Sequence, residues 1–163
     1  MRLFRHLFAP SARRLFPEAT LQRIAETVAR DELRHRGEIL FAVESRLTIA
    51  ALRRGASPRE RALEVFARLR VWDTRENNGV LIYLLLADRR IEIVADRGFD
   101  GLVSAEQWRG VCLLMEERMA AGEPEAAALA GVTAAGDLAF EHFPMLDPDA
   151  DRNELPDAPV LLD

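Results

Sequence analysis

The residues best equipped for chemistry lie in two short segments, Trp72-Asp73-Thr74-Arg75-Glu76-Asn77-Asn78-Gly79 and Asp96-Arg97-Gly98-Phe99-Asp100. Carboxylates and side-chain amides gathered on loops suit a hard cation such as Ca2+ or Mg2+, which takes oxygen ligands from flexible segments. On this reading Asp73, Glu76 and Asp96 are the charged metal ligands, and Asn77, Asn78 and Asp100 complete the edge. Arg97 is then placed to contact a phosphate, because a guanidinium forks onto two oxygens at once. The two segments meet only if the chain between them folds back. Gly79 to Ala87 is a near-continuous apolar run, Asp88-Arg89 is a turn, and Ile91 to Asp96 alternates apolar with polar residues. That pattern predicts a hairpin with Asn78 opposite Phe99 and Asn77 opposite Asp100. The same residues also fit a structural account, in which Asp73 and Asn77 cap turns and Arg97 neutralises neighbouring acids.

Other chemistries are excluded by residue type. All 22 basic residues are arginine, so there is no Walker-type phosphate lysine, no Schiff base and no kinase-type anchor. No glycine fingerprint for dinucleotides, no G-x-S-x-G elbow and no zinc spacing occurs in the sequence. His6, His35 and His142 stand far apart and read as helix-surface side chains. The single cysteine, Cys112, lacks a nearby histidine or glycine turn and reads as a buried thiol in a helix. Ligands of open α/β sheets usually bind at the carboxyl ends of parallel strands, which points to the opposite edge near Glu44, Ser45 and Asp88.

The elements that must hold these loops follow from periodicity. Leu21, Ile24, Val28 and Leu33 recur at helical spacing between Pro17 and Arg36, and Gly37 stops the helix. Glu38 to Glu44 is apolar on both faces, hence an internal strand. Ser45 to Ala56 fits either a strand extension or a short helix. Ser57-Pro58-Arg59-Glu60 and Ser104-Ala105-Glu106-Gln107 are capping boxes that open helices running to about Val71 and Ala121. A last alanine-rich helix spans Pro124 to His142. Helix, strand, helix and strand in succession require two parallel strands, and the hairpin adds an antiparallel edge. The expected fold is an α/β protein, a three-layer α/β/α sandwich with a small mixed sheet of three or four strands.

Charge divides the chain into three parts. Residues 1–16 hold Arg2, Arg5, Arg13 and Arg14 and no acid, residues 17–143 form the domain, and residues 144–163 form an acidic, proline-rich tail. The tail sets six acids against Arg152 and so accounts for the whole net charge of −5. It is expected to run extended over the surface or to be mobile. Its run Asp147-Pro148-Asp149-Ala150-Asp151 resembles the start of a calcium loop, but Arg152 replaces the obligatory glycine and Ala158 the closing glutamate. A balanced body gives no electrostatic case for nucleic acid. In the opening arm Leu3, Phe4, Leu7 and Phe8 share one helical stripe, which fits either an interfacial anchor or an arm packed on the body. Arginines interrupt the opening too often for a signal peptide, and no apolar run is long enough for a transmembrane segment. The expected location is the cytoplasm, with peripheral association at the inner membrane as an option.

The order Trp72, Asn77-Asn78-Gly79, Val80 to Leu86, Asp88-Arg89 and Arg97-Gly98-Phe99 resembles the TPM-domain family, whose pattern runs from a tryptophan through D-N-G and a hairpin to G-x-G. The resemblance covers roughly Phe16 to Phe143. Within the family it is closest to a cytoplasmic bacterial branch sharing W-D-T…N-N-G and a tail like Asn153-Glu154-Leu155-Pro156-Asp157. It implies an α/β/α sandwich and calcium binding near the D-N-G loop, with Asn77 standing where aspartate is usual. Family roles span weak acid phosphatase activity, photosystem II repair and receptor modulation. Two functions are therefore expected. One is a non-enzymatic accessory or binding module that acts on a protein partner near the membrane and holds a divalent cation. The other is a weak metal-dependent acid phosphatase.

Overall fold

A computed structural model of the chain describes residues 1–147, 149 and 152–162. Two short helices, α1 (Arg2–Leu7) and α2 (Ala12–Leu15), precede α3 (Glu18–Glu32) and strand β1 (Glu38–Glu44). Then come α4 (Ile49–Arg53), α5 (Pro58–Arg68), the hairpin β2 (Gly79–Leu85) and β3 (Arg90–Ala95), α6 (Ala105–Ala120), α7 (Pro124–His142) and β4 (Val160–Leu162). The ambiguous stretch after β1 resolves as helix α4, because the Thr48 hydroxyl accepts the Ala51 amide hydrogen and caps its first turn. Both expected capping boxes form, at Ser57 with Glu60 and at Ser104 with Gln107.

The sheet order is β3-β2-β1-β4. Strand β1 pairs parallel with β2 and with β4, while β2 pairs antiparallel with β3. The tail, expected to lie extended on the surface or move freely, thus ends as an added edge strand. Of its acids, Asp151 and Asp163 lie outside the described residues, as do Pro148 and Ala150, so the calcium-loop-like run is described only in part.

Alternation along the strands separates two cores. Ile39, Phe41 and Val43 of β1 and Val80, Ile82 and Leu84 of β2 face α3, α6 and α7. Leu40, Ala42, Leu81, Tyr83 and Leu85 face α5, together with Leu155 of the tail. The three-layer α/β/α sandwich with a mixed sheet is thus the fold of this chain. Helices α3 and α7 approach closely because Gly136 leaves room for the Asp31 carboxylate, where any side chain would collide with it.

The last residue of β1, Glu44, is buried among the α5-facing side chains. Arg61 of α5 donates two hydrogen bonds to it at 2.9 Å, and the Tyr83 hydroxyl donates a third at 2.5 Å. A buried carboxylate left unpaired costs several kcal/mol, so this fork-and-hydroxyl set is what permits an acid there. Burial, reinforced by the facing Glu44 carboxylate, drives the Tyr83 phenol far above its ordinary range and keeps it a donor. Replacing Glu44 by alanine leaves the buried Tyr83 hydroxyl without its acceptor and Arg61 with Glu64 alone, and is expected to destabilise the fold by roughly 3 kcal/mol. A lowered denaturant midpoint at unchanged slope would register that loss.

Candidate functional site

The loop joining α5 to β2 is bracketed by two residues in the left-handed region, Arg70 at φ 57° and Asn77 at φ 53°. It returns the chain over the start of β2 so closely that the Val71 carbonyl oxygen occupies the space a Gly79 side chain would need. The Asn77 and Glu76 carbonyl oxygens do the same to Gly98 in the turn after β3. The Gly98 amide donates to the Asn77 carbonyl at 2.8 Å, and the Asp96 amide to that of Gly79 at 2.9 Å. The two glycines of the sequence pattern therefore mark a backbone-to-backbone lock between loop and turn.

The two predicted segments do meet, though in a different register. Val80 faces Ala95 and Leu85 faces Arg90, which sets Asn78 opposite Arg97 and Asn77 opposite Gly98. Strand β2 ends at Leu85, and a turn holding Leu86 to Arg89, with Arg89 at φ 52°, shortens the pairing. The shift is two residues, so every side chain keeps its expected face.

The side chains of this edge are engaged separately. Arg70 reaches Asp73 at 2.6 Å, and Arg36 reaches Glu76 at 2.5 Å. Asn78 is buried; its amide hydrogen goes to the Thr74 hydroxyl and its side-chain NH2 to the Arg36 carbonyl, while Oδ1 has no partner. Asp96 caps the short 3-10 turn Arg97–Phe99 through the Arg97 amide, and its buried Oδ2 has no partner. Asp100 and Arg97 are exposed. Strand alternation carries Asn78 to the α3/α7 face and Asp96 to the α5 face. Among the described residues no three acidic, histidine or cysteine side chains converge as a cation cage.

What the loop does hold is the chain's own tail. Both Glu154 carboxylate oxygens accept from the Arg75 amide, at 3.0 and 3.1 Å. Glu38, buried at the start of β1, accepts from the amides of Glu154 and Leu155 at 3.1 and 2.9 Å. Leu155 is buried in the core that faces α5, and the Asn153 side chain closes onto Asp157 at 2.7 Å. The Asn153-Glu154-Leu155-Pro156-Asp157 motif and the N-N-G loop are thus two halves of one contact, which neither segment reveals alone.

At the opposite edge, Glu44, Ser45 and Asp88 hold elements together. The Ser45 hydroxyl accepts the Ala12 amide hydrogen at 2.8 Å. Asp88 receives two hydrogen bonds from Arg2 Nε and one of 2.7 Å from its Nη2. His6 Nε2 lies 3.2 Å from Asp88, and its Nδ1 accepts the Leu47 amide hydrogen at 3.0 Å. Burial alone would raise the Asp88 carboxyl, but Arg2 and His6 outweigh it and hold it below the ordinary range. An apolar cavity of about 520 Å3 opens at this end, lined by Pro10, Leu15, Leu84 and Leu86 with Arg89 and Arg90.

Two histidines read as surface residues, His6 and His35, are in fact buried. Their spacing from acids in the chain carried no signal for His6, but His35 lies one helical turn beyond Asp31 and contacts it at 3.3 Å. Burial pushes Asp31 up, and His35 and Arg34 together bring it below its ordinary range. The Cys112 thiol is buried as expected, and burial pushes it up to about 11.

Two outcomes follow for this region. Gly79→Ala forces side-chain carbon against the Val71 carbonyl and is expected to cost more than about 2 kcal/mol of stability, read by chemical denaturation. Glu32, whose Oε1 accepts the Ile39 amide hydrogen, is raised to about 9 by burial and then by nearby Glu38 and Asp157. A carboxyl raised on folding contributes stability in full below its unfolded value, and loses it as pH climbs toward about 9. Glu32→Gln should therefore gain on the natural chain by roughly 1 kcal/mol per pH unit between pH 5 and 9. Thermal melts of both proteins across that range would show the gap widening.

The sequence matches the family model of the TPM domain over residues 11–138. No curated protein matches it. The solution structure of the BA42 protein from the psychrophilic bacterium Bizionia argentinensis superposes with a TM-score of 0.74 at 26% identity, over 88% of this chain and 92% of that one. The solution structure of the N-terminal domain of a protein from P. gingivalis, at 17% identity, superposes with a TM-score of 0.63 over 84% and 86%; it shares the fold. With a family model spanning most of its length and this lock of loop and turn, the chain belongs to the TPM-domain family.

Proposed function

We propose that this TPM domain is a non-enzymatic accessory module that binds a protein partner near the membrane. Its recognition edge is formed by the loop Asp73 to Asn78, the turn Asp96 to Asp100 and the adjoining start of β1. The observation that carries the reading is the way this edge holds an extended segment. Main-chain amides of the tail meet Glu38, a tail carboxylate meets the Arg75 amide, a leucine enters the core, and three residues add to the sheet. These are the elements of strand addition, in which backbone pairing supplies affinity and side-chain pockets supply selectivity. A partner segment bearing an acid followed by leucine would enter by exchange with Glu154 and Leu155.

A second reading, the metal-dependent phosphatase, keeps Asp73, Glu76 and Asp96 as ligands of Ca2+ or Mg2+ with Arg97 on the phosphate. Arg97 favours it, being exposed and, among the described residues, in no ion pair. It requires the carboxylates of Asp73 and Glu76 to leave Arg70 and Arg36.

Two measurements separate these readings. A synthetic peptide of residues 152–162, titrated into isotopically labelled full-length Glu154→Ala protein, is expected to shift the amide signals of Arg75 and of residues 42–44. The same peptide with its glutamate changed to alanine should bind at least about fivefold more weakly, the loss of a charge-assisted hydrogen bond. Equal binding of the two peptides, or no shift at those amides, would refute the recognition edge. Calorimetric titration with Ca2+ and Mg2+ is expected to give the same heat for the natural protein and for Asp73→Ala and Asp96→Ala. Heat lost in both variants, with phosphate-ester hydrolysis lost alongside, would transfer support to the enzyme.

A further inference from the structure

Helix α1 presents its polar side to the domain and its apolar side outward. Arg2, Arg5 and His6 gather on the buried Asp88 carboxylate, at 2.7, 3.7 and 3.2 Å. Leu3, Phe4, Leu7 and Phe8 fall on the far side of the helix, where Phe4 is 66% and Phe8 81% exposed. A helix packed on a globular domain ordinarily buries its apolar stripe and shows its charges to water. Here the ion pairs fix the reverse orientation, and an apolar patch is held in solvent.

Charge indicates what covers it. Residues 1–16 contain four arginines and no acid, and Arg5, Arg13 and Arg14 are exposed. The β2–β3 turn to which α1 is clamped adds exposed Arg89 and Arg90. Of the acids at this end, Asp88 is already engaged by Arg2, Arg5 and His6, and Glu116, which lines the cavity beside Arg89 and Arg90, is paired with Arg109. We propose that this end of the domain lies on an anionic lipid bilayer, with Phe4 and Phe8 in the acyl boundary and the arginines at the phosphate groups. A six-residue helix buries too little apolar surface to hold a protein on lipid by itself, so the basic residues are the necessary second signal. Because α1 is folded and clamped beforehand, binding does not have to order it. Pairing of two copies through the same apolar face would instead bring two sets of arginines together, which like-charge repulsion opposes. This surface lies at the carboxyl end of β2, away from the loop that precedes the strand, so its failure would leave the proposed recognition edge untouched.

The test is vesicle flotation of the full chain, using neutral phosphatidylcholine vesicles and vesicles containing phosphatidylglycerol. Phe4→Ser/Phe8→Ser and Arg13→Gln/Arg14→Gln leave the Asp88 cluster intact, and an unchanged melting curve would verify their folding. The natural protein is expected to float with the anionic vesicles only, and less as salt rises. The phenylalanine variant should lose flotation, and the arginine variant should weaken by more than about tenfold, from roughly fivefold per arginine. Equal flotation with neutral vesicles, no flotation with either, or variants that bind like the natural chain would overturn the proposal. So would a concentration-dependent dimer in sedimentation that Phe4→Ser/Phe8→Ser abolishes, since that outcome assigns the face to a second copy.

Discussion

Taking a carboxylate out of water costs several kcal/mol unless donors replace the lost hydration, and β1 carries such a group at each end. Glu44 is met by Arg61 and Tyr83, which fastens α5 to the sheet and forces a tyrosine into the middle of β2. Glu38 is met by the main-chain amides of Glu154 and Leu155, which brings the tail back across the sheet edge and leads it into β4. The hydrophobic cores on either side are unspecific in comparison, since many apolar residues of similar volume would fill them. The two glutamates select which helix and which strand lie beside β1.

The two ends of the sheet are closed by different physics. At the loop end the closure is steric: carbonyl oxygens of Val71, Glu76 and Asn77 lie where side chains of Gly79 and Gly98 would stand. At the other end it is electrostatic, with Asp88 gathering Arg2, Arg5 and His6 from the arm. The steric end is held rigidly and presents backbone groups, which suits recognition of an extended chain. The electrostatic end turns an amphipathic helix inside out and presents phenylalanine and arginine, which suits a charged, oily surface.

Much of this architecture was legible in the residues. The run EILFAVE from Glu38 to Glu44 matches β1, Pro124 to His142 matches α7, and both capping boxes start their helices where the motif places them. Such features are local: a serine three residues before a glutamate caps a helix whatever lies around it. The hairpin was legible as a hairpin but not in register, because the length of β2 is decided by where Leu86 and Ala87 are better used in a turn. The loop of Asp73 to Asn78 was legible as polar and special, yet its ligand was not. Each carboxylate there found a different arginine, and nothing in their spacing says which.

By itself the sequence determined the longer helices, the strands β1 to β3, their order, the two-sided burial of the inner strands and the family, because those depend on periodicity and on neighbours within a few positions. Only the tertiary structure decided that Glu38 binds a segment 116 residues away, that two of the three histidines are buried, and that the opening helix turns its apolar stripe to solvent. Those outcomes rest on single pairings between distant groups. A carboxylate accepts from any donor that reaches it, and which donor arrives is set by the packing of the whole chain.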